Sequence, residues 1–325
     1  MSPAIPLAKG TLGVRVRSLR SVAREVVELM LEPAGTTPLP HYEPGAHVDL
    51  HLPNGLLRQY SLIDDGPVNG CYRLGIGRAG ESRGGSRYVH DTLRAGDVLQ
   101  LGAPRNLFAL SPEKTPCLFI AGGIGITPVL SMARRCAATG RRWHLLYCVP
   151  RRERAAFLDE LATLHGGSVH LHIDDEAGGP VNVSAWVARL QPDEHLYCCG
   201  PSGLMKAVEA AAPPSSQKRL HFEWFTAPAS ESAPDADAAF EVVLRSSGRS
   251  VHVPADRSVL EALEDAGESV PFGCREGLCG SCITGVCAGE PDHRDMVLSD
   301  VERASNQHIL ICVSRARTPS LELDL

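Results

Sequence analysis

The chain has 325 residues, 43% hydrophobic and 22% charged, a composition that excludes wholesale disorder and leaves room for two or more globular domains. Its net charge of −6 argues against a general nucleic-acid binder, and the charge is uneven: residues 240–325 carry 14 acidic and 8 basic side chains, whereas residues 1–239 sum to zero. The longest uncharged run, Thr115–Ala133, is broken by Gly122, Gly123, Gly125 and Pro128, so it reads as a strand, a turn and a helix and not as a membrane span.

Along the first third, short alternating segments at Gly13–Leu19, His47–Leu52 and Tyr72–Ile76 predict β-strands, with turns at Pro44-Gly45 and Gly66-Pro67. Such strands close naturally into an antiparallel barrel. From Pro116 the pattern changes to alternating strands and helices. Strands are expected at Cys117–Ala121, His144–Val149, Val169–Ile173 and His195–Cys199, and helices at Thr127–Thr139, Ala155–His165, Asn182–Leu190 and Ser202–Ala211. Repeated βα units imply a parallel sheet covered on both faces. The segment Thr226–Ala239 is rich in Ala, Ser, Pro and Asp and reads as a linker. A last unit follows, with β-type runs at Phe240–Leu244 and Ser250–Val253 and a short helix over Ser258–Ala266 capped by Ser258. The expected domains are 1–112, 113–226 and 240–325, joined by 227–239. Met1–Leu12 has no secretory pattern, so the 11 cysteines are expected in a reducing compartment, the cytoplasm, as metal ligands or buried thiols.

The most specific pattern is Cys274-x4-Cys279-x2-Cys282, with Cys312 after 29 intervening residues. This is the plant-type spacing for four thiolates around a two-iron two-sulfur cluster, with glycines 273, 277 and 280 letting backbone amides approach the sulfurs. A structural zinc site or unrelated core cysteines are the alternatives; zinc sites favour paired Cys-x2–4-Cys elements. The run Phe272–Cys282 resembles the cluster loop of plant-type ferredoxins. The preceding two-thirds resembles the ferredoxin–NADP reductase superfamily, and the order of parts is similar to the phthalate dioxygenase reductase family. That resemblance implies a multidomain protein: an antiparallel β-barrel flavin domain, an α/β nucleotide domain and a C-terminal α+β β-grasp ferredoxin domain.

For the flavin, the resemblance implies Arg58, Gln59, Tyr60 and Ser61 as a signature segment. Arg58 would neutralise a phosphate, Tyr60 would offer its ring to the ribityl chain or isoalloxazine, and Ser61 would hydrogen-bond near N5. A second segment, Gly75-Ile76-Gly77 followed by Ser82-Arg83-Gly84-Gly85-Ser86, has the glycines, hydroxyls and charge that suit a phosphate at a helix start. Arg83 and Ser86 are expected at the terminal phosphate. FMN is favoured by the resemblance, and FAD stays open from the residues alone.

For the nicotinamide, Gly122, Gly123, Gly125, Thr127 and Pro128 form a turn between a predicted strand and helix, suited to close approach of a pyrophosphate. Cys199-Gly200-Pro201 after the last predicted strand resembles the superfamily's segment whose cysteine lies near the nicotinamide. Glu223 and Phe225, in His221–Phe225, are expected beside the flavin ring, Phe225 covering the face that nicotinamide must reach. Cys199, Ser61, Thr127 and Phe225 are thus the expected catalytic group. NADPH would need cations for its 2′-phosphate, and Arg151, Arg152 and Arg154 are candidates; the resemblance favours NADH. Asp174 and Asp175 are candidates for a ribose contact.

Nicotinamides give two electrons together and iron–sulfur clusters accept one at a time, so a flavin between them converts one mode to the other. No acid–base constellation for an organic substrate and no His-rich mononuclear iron motif is visible. The expectation is an NADH-dependent reductase passing electrons through FMN and a 2Fe-2S cluster to a Rieske-type aromatic oxygenase or O-demethylase, acting as a monomer away from membranes and nucleic acid. A different acceptor, such as a separate ferredoxin or a cytochrome, or a redox-sensing role, are the alternatives. Glu276, Glu290, Asp292 and Asp295 are expected to help form an acidic docking patch.

Overall fold

The computed structural model describes residues 11–80, 84–226 and 238–325. The chain divides into two compact units, residues 1–225 and 226–325. Most of the predicted linker lies outside the described residues, as do Ser82 and Arg83.

The first unit begins with a six-stranded antiparallel sheet. Its strands are β1 (Thr11–Ala23), β2 (Val26–Pro33), β3 (His47–His51), β4 (Leu57–Ser61), β5 (Tyr72–Gly77) and, after the helix α1 (Gly85–Asp91), β6 (Val98–Gly102). The order β4-β3-β6-β1-β2-β5 curls until Leu62 bridges Leu74 and Ile63 N–H donates to Arg73 O at 3.1 Å, which closes the barrel. Alternation places Val14, Val16, Leu29, Leu31, Val48, Leu50, Leu74, Ile76, Leu99 and Leu101 in one buried core. Two of these strands, β2 and β6, escape the sequence reading because charged or polar residues interrupt their apolar runs.

The parallel sheet follows: β7 (Cys117–Gly122), α2 (Ile126–Thr139), β8 (Trp143–Val149), α3 (Leu158–Ala162), β9 (Gly167–Ile173), α4 (Asp174–Ala177), α5 (Ser184–Val187), β10 (His195–Cys199), α6 (Ser202–Ala211) and β11 (Leu220–Glu223). All pairings in the order β11-β10-β7-β8-β9 are parallel, and the central β7 and β10 are buried throughout, as a sheet covered on both faces requires. Two predicted helices are shorter than expected. Phe157, at φ +62°, turns the chain out of helical geometry and buries its ring, so α3 starts only at Leu158. After α5, Arg189 and Leu190 close i→i+3 turns instead of continuing the α-helix.

A buried ion network ties barrel to parallel sheet. Arg73 on β5 pairs with Glu28, with Asp64 at 2.9 Å and with Glu160 of α3 at 2.8 Å; Arg134 of α2 also pairs with Glu160. Glu28 is only 1% exposed, so its charge exists in the fold only because Arg73 and Arg20 (2.6 Å) compensate it.

The second unit is a β-grasp. β12 (Phe240–Leu244) and β13 (Ser250–Val253) form a hairpin; α7 (Val259–Asp265) crosses; β14 (Ile283–Ala288), β15 (Pro291–Asp292), α8 (Asp300–Ser305), β16 (His308–Leu310), β17 (Arg315–Ala316) and β18 (Ser320–Leu323) complete it. The sheet order is β13-β12-β18-β14-β16, with β12 and β18 parallel. Ser258 caps α7 in a reciprocal box with Glu261, and Val259, Leu260, Ala262 and Leu263 turn inward. No helix among the described residues is long and apolar enough to cross a membrane.

Candidate functional site

On β4 each signature side chain has a distinct setting. Arg58 lies against the start of α1: a Cβ on Gly85 would come within 2.5 Å of Arg58 Cγ, so glycine is required there for the arginine stem to pass. Gln59 donates to Asp49 Oδ1 at 3.0 Å. Tyr60 packs on the barrel core, and burial pushes its hydroxyl up to about 12. Gly84, at φ +91°, occupies the N-cap of α1, and Ser86 Oγ accepts from the Ala79 N–H at 3.2 Å.

The glycine turns of this unit mostly serve close packing. A Cβ on Gly125 would stand 2.2 Å from Cys199 O, and one on Gly122 would stand 2.5 Å from Pro201 Cδ; Gly200 meets Gly122 Cα at 2.9 Å in the same way. The two strand-to-helix turns, after β7 and after β10, therefore interlock. Gly123 differs: its φ of +54° is the left-handed region, and its outer side is open. Gly75 and Gly77 on β5 let the barrel meet this turn, with Thr127 Cγ2 and Ile124 Cβ at 2.6 and 3.2 Å from their would-be Cβ atoms. Ile76 buries its side chain in the barrel core, Thr127 Oγ1 donates to Ile124 O at 2.9 Å, and Pro128 is buried in α2.

Where the barrel faces the C-terminal ends of the parallel strands, side chains distant in sequence converge on one carboxyl group. Glu223, the last residue of β11, accepts from Ser61 Oγ at 3.4 Å and from the Cys199 thiol at 3.9 Å. His47, opposite Ser61 in the β3–β4 register, approaches from the other side, Nδ1 to Oε1 3.9 Å. Burial raises Glu223 to about 8, against a smaller opposing effect of the Ser61 hydrogen bond, so it is protonated at neutral pH. Burial holds His47 down at about 4, helped by Arg105. Burial, and then Glu223, pushes the Cys199 thiol well above its ordinary range. Phe225 follows two residues later and is 38% exposed.

The expected 2′-phosphate cations are each paired with a carboxylate: Arg151 with Asp175 at 3.2 Å, Arg152 with Glu176 at 2.8 Å, and Arg154 with Glu25. Asp175 is thus engaged with an arginine, and Asp174 faces His172 at 3.4 Å.

In the second unit the loop between α7 and β14 aims its amides at sulfur. The N–H groups of Glu276 and Leu278 donate to Cys274 Sγ at 3.3 and 3.4 Å, and those of Cys274 and Ser281 donate to Cys279 Sγ, both at 3.4 Å. A bond from the Cys274 thiol pulls Cys279 down to about 5 against the effect of burial, and Cys312 lowers Cys282 likewise. Cys274 thus neighbours Cys279, and Cys282 neighbours Cys312. Among the described residues no three His, Cys, Asp or Glu converge as the ligands of a single ion. Four cysteines with backbone amides aimed at sulfur fit a two-iron cluster.

Three features lay beyond sequence reasoning. His47 reaches the site through strand register, and nothing local marks it. Arg73, Glu28 and Asp64 look like ordinary strand charges until the barrel closes. Asp295 was expected on a docking surface, but it is 1% exposed; of its companions, Asp292 pairs with Arg294 at 2.7 Å and Glu290 with Arg317 at 3.2 Å.

Residues 119–210 match the oxidoreductase NAD-binding domain, and residues 242–317 match the 2Fe-2S iron-sulfur cluster binding domain. The chain is 43% identical to the putative toluene-4-sulfonate monooxygenase system reductase subunit of Comamonas testosteroni, over 96% of this chain and 98% of that one. It is 40% identical to phthalate dioxygenase reductase of Burkholderia cepacia, over 98% and 99%. A solved phthalate dioxygenase reductase, described as a modular structure for electron transfer from pyridine nucleotides to [2Fe-2S], superposes with a TM-score of 0.70 at 38% identity, covering 97% of this chain and 98% of that one. The chain spans only 43% of an intact type IV self-sufficient cytochrome P450 monooxygenase, which it matches at a TM-score of 0.90 and 36% identity over 100% of its own length. Together with the barrel, the parallel sheet and the four-cysteine β-grasp, these likenesses identify the chain as a member of the phthalate dioxygenase reductase family, an electron-transfer oxidoreductase with a 2Fe-2S domain.

Proposed function

We propose that the chain takes a hydride from NADH onto FMN and passes the electrons singly through a [2Fe-2S] cluster to a separate Rieske-type aromatic oxygenase or O-demethylase component. The observation that carries this reading is the convergence of Ser61, Cys199 and Glu223, which joins the barrel's signature strand to the ends of the nucleotide-domain strands. When bound, the flavin supplies the exchange between two-electron and one-electron transfer. Arg58, Arg83 and Ser86, with the amides of Gly84 and Gly85, would hold the FMN phosphate. Gln59 is fixed by Asp49 and keeps β4 aligned, while Tyr60 presents its ring along the ribityl chain. Gly75, Ile76 and Gly77 border the flavin through backbone alone.

The turns Gly122-Gly123-x-Gly125, with Thr127 and Pro128, and Cys199-Gly200-Pro201 receive the dinucleotide. Cys199 fixes the nicotinamide edge, and its neutral thiol adds no charge along the hydride path. Ser61 would place its hydroxyl near flavin N5. Glu223, protonated at neutral pH and in reach of Ser61, stores a proton beside it. Phe225, exposed beside Glu223, would cover the flavin face that the nicotinamide must reach. The pairing of Arg151, Arg152 and Arg154 with carboxylates favours NADH, because no uncompensated arginine of that group awaits a 2′-phosphate.

Cys274, Cys279, Cys282 and Cys312 hold the cluster, and the same reading keeps the chain monomeric in the cytoplasm. The fusion architecture of the matched P450 favours a second acceptor class, a haem protein in place of a Rieske oxygenase. Purified protein is expected to carry about two irons and one FMN per chain, and to reduce a Rieske oxygenase faster than a P450 haem domain under NADH. One zinc with no sulfide, or FAD in place of FMN, would overturn the corresponding assignment.

A further inference from the structure

Beneath the cluster loop lies a buried charged group that the electron path does not use. Asp295 Oδ1 accepts from the N–H groups of Val297 at 2.9 Å and Leu298 at 2.7 Å. Its Oδ2 is buried without a hydrogen-bond partner, and His293 Nδ1 faces it at 3.8 Å. Both ring nitrogens of His293 are likewise buried and unpartnered, as is Arg303 Nε of α8. Arg303 Nη2 donates to the Asp295 carbonyl and stands 4.0 Å from Oδ1. Four of the seven buried, partnerless side-chain polar atoms among the described residues thus belong to these three residues. Folding disfavours such atoms, so their concentration calls for a reason.

The reason lies directly above. Gly277 rests on Asp295: a Cβ there would meet Asp295 Cα at 3.1 Å, and the Gly277 φ of +67° already demands glycine. The Met296 N–H donates to Gly277 O at 3.0 Å. Gly277 in turn directs its own N–H at the Cys312 sulfur, and its neighbours Glu276 and Leu278 direct theirs at Cys274. The carboxylate fixes the turn at residues 295–298, and that turn fixes the three amides aimed at sulfur.

We propose that Asp295, held with His293 and Arg303, is the positioning residue of the [2Fe-2S] loop and sets the cluster's reduction potential through its buried charge. The inference rests on the reading that the four cysteines hold the cluster. Hydrogen bonds to sulfur and local net charge are both determinants of cluster potential. Asp295→Asn keeps an oxygen for Val297 and Leu298 but removes a negative charge, so the potential is expected to rise. Arg303→Gln removes the opposing positive charge, so the potential is expected to fall. Asp295→Ala removes the anchor, so cluster loss to a chelator is expected to accelerate about 10- to 100-fold, as for other outer-shell partners of metal ligands.

The test is a redox titration of the full-length holoprotein and both charge variants, followed by cluster absorbance and electron paramagnetic resonance, with chelator challenge of the alanine variant. Unmoved potentials in both charge variants, with full iron content, would overturn the electrostatic role. Parent-like cluster retention in Asp295→Ala would overturn the positioning role; if that variant does not fold, the two charge variants decide alone. A parent free of iron and sulfide would instead refute the reading of the four cysteines.

Discussion

The chain builds its two reactive regions by opposite means. At Glu223 the side chains of Ser61, Cys199 and His47 meet across two sheets, having come from positions up to 176 residues apart. In the β-grasp unit, three of the four sulfurs and the amides that serve them lie between Cys274 and Cys282. The first region depends on the packing of barrel against sheet, through the Arg73 network and the interlocked glycine turns. The second depends on one loop held from below. A nonlocal site is therefore vulnerable to changes far from its chemistry, whereas a loop site is vulnerable mainly within itself.

The largest effect is expected at the loop. Cys279→Ser is expected to abolish the cluster, with iron and sulfide lost, while NADH–ferricyanide activity from the first unit persists; a variant that keeps its full cluster would remove Cys279 from the ligand set. Next in size, Arg73→Ala leaves buried Glu28 with Arg20 as its remaining cation and buried Asp64 with Arg134 at 3.5 Å, and should destabilise the first unit by about 3 kcal/mol. Thermal release of FMN would report it, with the cluster's own melting unchanged.

Cys199→Ala should slow NADH-dependent flavin reduction about 10- to 100-fold by loosening the nicotinamide position, with FMN content and the cluster spectrum intact. Equal stopped-flow rates would take Cys199 out of the site. Glu223 gives a pH signature. Its folded value, about 8, lies above the unfolded carboxyl value, so its contribution is complete at low pH and is lost as pH rises through about 8. Glu223→Gln should therefore flatten the fall in stability between about pH 4.5 and pH 8, measured by thermal melting. A parent-like slope would mean that Glu223 is ionised throughout. The smallest effect is expected from salt, because Glu290 and Asp292 are already paired with arginines. Transfer to the oxygenase should slow only a few-fold between about 0.02 and 0.5 M salt.

The same contrast explains what was legible in the sequence. The cysteine loop could be read outright because its chemistry is local: spacing, glycines and amides are consecutive. The central parallel strands β7 and β10 are legible because burial on both faces leaves continuous apolar runs. Ser61, Cys199 and Glu223 were each marked by short segments, but their meeting at one carboxyl was not, since no pattern reports which strand ends face each other. His47 and Asp295 were hidden for a related reason. A polar residue that is buried looks the same in sequence as one in solvent, and Asp295 was accordingly expected on the surface. In sequence the glycines at the end of β7 suit close approach of a pyrophosphate, yet Gly122 and Gly125 are first required by Cys199-Gly200-Pro201 against them.

The central claim is that electrons enter at the nonlocal site and leave through the loop. Anaerobic stopped-flow mixing of the full-length protein with NADH, followed at flavin and cluster wavelengths, tests it directly. The predicted result is flavin bleaching followed by cluster bleaching, with both phases slowed equally in Cys199→Ala and only the second lost in Cys279→Ser. Cluster reduction at the parent rate in Cys199→Ala, or in protein stripped of FMN, would contradict it.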